Sequence, residues 1–304
     1  MKIGFIGLGR MGTGMALNLR KAGYDVVVHD ARKESAQPHL AAGSTWADSV
    51  ADVGRVADVV FTSLPGPKEM KAVAEVLQAS MRKGSVWFDL TTNSPTLVAE
   101  VCKQFAGKGI ALLDAPVSGG PAGAASGKLA IYVGGDKQVF EQYKKVLDAI
   151  GDEVMYCGVI GAGNSAKLAH NCASFSLRLM LAEVISMGVK AGVEPAALWH
   201  GMRAGGQGRA RTFDMVGKYM EDNYEPASFT VNLALKDLGL GLELGEQIGV
   251  PMKFIQATFD EFNAARERGW GEHDARTPMK LQNERAGVKI KLSPEEVKQT
   301  LARC

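Results

Sequence analysis

Glycines at positions 7, 9 and 12 stand between a short apolar stretch and a run with helical spacing, and this leaves few folds open. Met1-Lys2-Ile3 to Ile6 reads as a buried strand, and Met11, Met15 and Leu19 follow at helical intervals. In a strand-turn-helix unit Gly7 allows the tight turn, and Gly9 lets a pyrophosphate approach the backbone. Gly12 permits close packing of helix on strand. The helix N-terminus offers free N–H groups and a positive dipole end to phosphates. Gly7-Leu8-Gly9-Arg10-Met11-Gly12 therefore reads as a dinucleotide-binding fingerprint.

The following residues extend the pattern. Strand-like stretches fall at 3–6, 25–29, 59–63, 85–90, 111–114 and 129–133, with helical stretches at 16–21, 69–77 and 96–108 between them. Such alternation predicts an α/β fold with a doubly wound parallel Rossmann sheet, its ligand beyond the carboxyl ends of the strands. Gly7–Gly12, Asp30, Leu64-Pro65 and Thr91-Thr92 all fall at those ends. After about residue 160 strand signals vanish. A long helical pattern runs from Asn164 to Ala191, and others follow at 195–204, 210–220, 231–248, 252–268 and 294–302. The expected domains are a dinucleotide-binding domain over 1–160 and an all-helical substrate and oligomerisation domain over 161–304. A cleft between them is the default catalytic site.

Composition narrows the partners. The chain of 304 residues is 46% apolar and 22% charged, as in ordinary soluble globular proteins. A net charge of +2, with no block of like charge, gives no reason to expect nucleic acid. Cys102, Cys157, Cys172 and Cys304 show no paired spacing, and the five histidines are scattered. These features argue against a disulfide framework or a metal site and fit a reducing compartment. No membrane-length apolar run or basic leader stands out, so the expected location is cytoplasmic, with no membrane partner.

Three segments carry chemistry. Asp30, 18 residues after Gly12, is placed to accept hydrogen bonds from ribose hydroxyls and to repel a 2′-phosphate, favouring NAD. The plainer reading is a turn aspartate, and Arg32 and Lys33 close behind leave NADP open. Lys167 and Asn171 stand at i and i+4 on the long helix and share a face. A lysine desolvated among Ala and Leu can exchange protons near neutrality, whereas an exposed one is only a solvated charge. In Asp114-Ala115-Pro116-Val117-Ser118-Gly119-Gly120, Ser118 and the bare backbone of Gly119 and Gly120 form either a cradle for a carboxylate or a tight connecting loop.

Together, Gly4–Gly12, Asp114–Gly120, Gly161–Asn171 and Lys236-Asp237-Leu238-Gly239-Leu240 resemble the motifs of the 3-hydroxyisobutyrate dehydrogenase family of β-hydroxyacid dehydrogenases. That family includes tartronate semialdehyde reductase and glyoxylate/succinic semialdehyde reductase, and is related to 6-phosphogluconate dehydrogenase. The resemblance covers residues 1–285. It implies that Lys167 is the catalytic acid/base and that Asn171 holds the substrate. Ser118, Gly119 and Gly120 would bind the carboxylate, and Leu64, Pro65, Thr92 and Lys236 would line the cofactor. Asp237 looks like a partner that orients the site, and Phe229 falls where the family places an aromatic near the substrate. Without the resemblance, Lys236 and Asp237 read as a surface ion pair and Phe229 as core.

Arg178, 11 residues after Lys167, lies on nearly the same helix face. It reads either as a ligand for a second anionic group of the substrate or as a structural ion pair. His170 reads as a packed helix histidine or as a residue that reaches substrate. The expected function is hydride transfer between NAD, with NADP open, and a small hydroxyacid or semialdehyde in a homodimer or homotetramer. An NADPH-dependent semialdehyde or glyoxylate reductase is the nearest alternative, and a non-catalytic dinucleotide-binding module the alternative from another class.

Overall fold

The computed structural model describes residues 1–302 except 210, 213, 215–216, 228–229, 233, 236–237, 240–241, 243–245, 247–248 and 288–289. At 172–176, 178–179, 182 and 195–196 it describes the helix without the side chains. Two compact units divide at Ala173/Ser174.

The first unit is built on one sheet. Its strands are β1 (Lys2–Ile6), β2 (Asp25–His29), β3 (Thr45–Trp46), β4 (Val59–Thr62), β5 (Val86–Asp89), β6 (Ala111–Asp114), β7 (Val117–Ser118), β8 (Leu129–Gly134) and β9 (Gly151–Gly158). The order β3-β2-β1-β4-β5-β6 is parallel throughout, as in a Rossmann sheet with its crossover helices. β8 then runs antiparallel to β6 and to β7, and β9 pairs parallel with β8. The six expected strands are present. β3 and β7 are only two residues long, too short for an alternating pattern to register. β9 is half exposed and lacks the apolar run of a central strand.

Central strands are buried on both faces, as parallel sheets require. One face packs Phe5, Phe61 and Phe88 with Met15 and Leu19 of helix α1 (Gly12–Lys21). The other face packs Val60, Trp87 and Leu112 against Met70, Leu77 and Phe105.

The second unit is helical among its described residues, apart from one isolated bridge between Thr230 and Asp274. A helix over Pro195–Ala204 is capped by Glu194, and one over Lys253–Ala265 is capped by Glu183, whose carboxylate accepts the Phe254 and Ile255 N–H groups. A helix over Met279–Ala286, unforeseen because its residues are mostly polar, supplies Leu281 to a core with Val231, Leu235 and Ala265. No helix among the described residues is long and apolar enough to cross a membrane.

Candidate active site

The glycine turn at the end of β1 has the shape a pyrophosphate needs. Gly7 lies at φ 96°, and a Cβ there would come within 2.2 Å of the Ser63 carbonyl oxygen. A Cβ on Gly12 would meet the Gly7 oxygen at 1.8 Å, so the start of α1 closes directly over the strand end. Gly9 is different: a Cβ there meets nothing within 4 Å. Its bareness serves no contact inside the protein and leaves room for a ligand. The N–H groups of Gly9, Arg10 and Met11 find no acceptor among the described residues. Leu8 donates its N–H to Asp30 Oδ2 at 2.7 Å, which fixes the turn to the end of β2.

The contrast between these glycines gives a test. Gly12→Ala is expected to destabilise the protein, because backbone must move. Gly9→Val is expected to leave Tm unchanged while raising the Kd for NAD at least tenfold. Thermal melts with and without NAD read both. A Gly9→Val protein that binds NAD normally would remove the phosphate role from this turn.

Asp30 is half-buried, and its Oδ1 accepts the Arg32 N–H at 2.8 Å. The exposed Arg32 guanidinium stands 4.0 Å from the same oxygen. At the end of β4 the Leu64 N–H donates to Thr91 Oγ1 at 3.0 Å, joining two of the strand-end turns. Pro65 is exposed and Thr92 half-buried beside these groups in sequence.

A buried polar chain runs across the ends of β4, β5 and β6. Trp87 Nε1 donates to Thr62 Oγ1, and Thr62 donates to Asp89 Oδ1 at 2.8 Å. Asp89 also accepts the Thr91 N–H, and Asn93 Nδ2 donates to its Oδ2 at 2.7 Å. The Asn93 N–H donates to Asn164 Oδ1 at 2.6 Å. Asn164 in turn donates its N–H and its amide to Asp114 Oδ2, and the Gly161 N–H donates to Asp114 Oδ1. Burial pushes Asp89 up to about 6 and raises Asp114, with these hydrogen bonds pulling the other way.

The effect is to seat helix α8 (Ala162–Lys190) by its first turn on the sheet. Asp114 supplies the acceptors that free helix N–H groups need. Gly163 has to be glycine here, since a Cβ would lie 2.2 Å from the Tyr132 carbonyl oxygen. Asp89, Asn93 and Asn164 were not foreseen as a unit. Their signal was present: Val86-Trp87-Phe88-Asp89 and Ala111-Leu112-Leu113-Asp114 each end an apolar strand on a carboxylate, and the two aspartates are register partners.

One turn beyond Asn164 lies Lys167, only 7% exposed. Its ammonium donates to no acceptor among the described residues, and burial lowers its pKa. A lysine hidden from water without a carboxylate partner is costly, and such groups concentrate at working sites. Asn171 follows one turn later, half-buried, with His170 Nδ1 3.4 Å from its Oδ1. The His170 ring lies 6.2 Å from that of Tyr132 on β8. The Tyr132 hydroxyl faces Ser118.

Ser118, Tyr132, His170 and Asn171 are thus joined by successive contacts, with Lys167 on the Asn171 face. The Asp114–Gly120 segment is more ordered than a loop, since β7 ends on Ser118 and a helix over Gly120–Ser126 follows. Gly119 (φ 133°) and Gly120 (φ 63°) make the exposed turn between them. Phe229, Lys236 and Asp237 lie outside the described residues, as does the side chain of Arg178. No group of three or more metal-binding side chains occurs among the described residues.

A Rossmann sheet with this glycine turn, followed by helices, defines a dinucleotide-binding α/β protein. The family model for the NAD binding domain of 6-phosphogluconate dehydrogenase matches residues 2–158. That for the NAD-binding domain of NADP-dependent 3-hydroxyisobutyrate dehydrogenase matches 161–282. The 2-(hydroxymethyl)glutarate dehydrogenase of Eubacterium barkeri is 34% identical over 95% of this chain and 97% of its own. The mitochondrial 3-hydroxyisobutyrate dehydrogenase of Rattus norvegicus is 32% identical over 90% of this chain and 84% of its own. Among solved structures, Mycobacterium tuberculosis 3-hydroxyisobutyrate dehydrogenase with L-serine superposes with a TM-score of 0.66 at 26% identity. It covers 92% of this chain and 98% of that one. The chain belongs to the 3-hydroxyisobutyrate dehydrogenase family, and it is an NAD(P)-dependent hydroxyacid dehydrogenase.

Proposed function

We propose that this protein is an NAD-preferring dehydrogenase that interconverts small β-hydroxyacids of the 3-hydroxyisobutyrate kind and their semialdehydes, with Lys167 as acid/base. The observation that carries this reading is the Lys167 ammonium, buried with no acceptor among the described residues on a helix seated at the carboxyl ends of the strands. Residues Gly7 to Gly12 fit the pyrophosphate, Asp30 the adenosine ribose, and Leu64, Pro65 and Thr92 the rest of the dinucleotide. The nicotinamide, when bound, supplies or takes up the hydride.

The remaining chemistry belongs to side chains. In oxidation neutral Lys167 Nζ takes the hydroxyl proton, and in reduction the ammonium gives a proton to the carbonyl oxygen. Its charge also stabilises the developing alkoxide. Asn171 donates an amide hydrogen to the same substrate oxygen and keeps it beside Nζ. The Ser118 hydroxyl and the Gly119-Gly120 backbone hold the carboxylate. The family resemblance assigns Phe229 and Asp237 to the substrate and Lys236 to the cofactor, and Arg178 is a candidate ligand for a second anionic group. Residues 1–160 then carry the cofactor, and 161–304 supply the acid/base helix and the interface of a cytoplasmic homodimer or homotetramer.

Cofactor preference rests on Asp30, whose two oxygens each hold one backbone N–H and keep lone pairs for ribose hydroxyls. An NADPH-dependent tartronate or succinic semialdehyde or glyoxylate reductase is the second reading, favoured by exposed Arg32 within 4.0 Å of Asp30. The ratio of kcat/KM with NAD and NADP separates them. We expect NAD to be preferred, and Asp30→Ala to shift the ratio toward NADP at least tenfold. A wild-type protein that strongly prefers NADP overturns the assignment of Asp30.

A further inference from the structure

On the reading that Ser118 holds the substrate carboxylate, we propose that the Tyr132 hydroxyl is a second donor of the same cradle. Tyr132 would then be a specificity-determining residue for substrates that carry a carboxylate.

The argument starts from the strand. Along β8, Leu129, Ile131 and Val133 are buried in the core, so Ala130 and Tyr132 project from the opposite face. Antiparallel pairing sets Ser118 across from Ala130, which makes Tyr132 its diagonal neighbour on that face. The Tyr132 hydroxyl lies within hydrogen-bonding reach of the Ser118 hydroxyl, as this diagonal placement on one face requires.

The ring is held in place. It leans on His170 at 45°, and His170 reaches Asn171, so one aromatic pair spans from Ser118 to the residue that holds the reacting oxygen. A phenol is protonated at neutral pH, and burial raises its pKa further, so Tyr132 stays a donor. A carboxylate has two oxygens and only accepts hydrogen bonds. Two adjacent hydroxyls, each turning its proton to one oxygen, match it. A neutral group at that position of the substrate takes little from such a pair.

Tyr132→Phe tests this while keeping the ring and its contact with His170. The probes are 3-hydroxyisobutyrate and its methyl ester, with Ser118→Ala in parallel. Loss of one hydrogen bond to a charged group is expected to raise KM for the acid roughly tenfold to a hundredfold. The ester's KM, the KM for NAD and kcat should move by less than about threefold on the same argument. An unchanged acid KM in Tyr132→Phe, or an equal rise for acid and ester, overturns the proposal. If Ser118→Ala raises the acid KM and Tyr132→Phe does not, only the role of Tyr132 fails. If both are silent, or the wild-type protein does not turn over the acid, the carboxylate reading of Ser118 fails with it.

Discussion

Replacing Lys167 by methionine is expected to lower turnover on the order of a thousandfold to a hundred-thousandfold. Two contributions vanish together, the proton transfer and the positive charge beside the alkoxide. Lys167 is buried, so neither is replaced by solvent at comparable strength. The Kd for NAD should stay where it is, because the phosphate turn and Asp30 are untouched. Stability should hold or rise, since a buried ammonium with no acceptor among the described residues is exchanged for an apolar chain of similar length. Steady-state kinetics, NAD titration and a thermal melt read the three quantities. A variant within tenfold of wild-type turnover would remove Lys167 from the chemistry.

The second large effect falls on a residue that touches no substrate in this account. Asp114→Ala should cost about 3–5 kcal/mol, because three donors from Gly161 and Asn164 lose their acceptors in a buried place. In a chain of this size that corresponds to a fall in Tm of roughly 10 °C. Turnover should fall as well, since the first turn of α8 carries Lys167. The penalty also depends on pH. Burial holds Asp114 above the ordinary carboxylate value, so the native state binds this proton more tightly than the unfolded chain. Its contribution is therefore greatest at low pH and declines as pH rises through the raised value. Urea melts of wild type and Asp114→Ala should differ more near pH 4 than near pH 7. A variant as stable as wild type would mean that the helix start is held by other groups.

The Rossmann half was legible because its signals are local. A tight glycine spacing and short apolar strands repeat at regular intervals, and each strand is read without knowledge of its neighbours. What escaped was made by pairing. β7 and β9 exist because β8 lies between them, and only the former shows small residues that hint at a turn. Lys167 was visible as a residue type on a helix, but its burial depends on where α8 begins. That start is set by Asp114, 47 residues before Gly161. Asn93 looked like one more polar residue after a strand, yet it joins Asp89 to Asn164. Tyr132 gave no sequence signal beyond an aromatic in a strand. Its interest comes from the two residues it faces.

The pH dependence of kcat/KM for 3-hydroxyisobutyrate oxidation, in wild type and Lys167→Met, tests the central claim most directly. A base must lose its own proton before it can take one from substrate, so the wild-type rate should rise with pH and level off. The midpoint should fall below the ordinary lysine value of 10.5, because burial favours the neutral amine. The residual activity of Lys167→Met should lack that rise. The same rise, with the same midpoint, in both proteins would contradict the account.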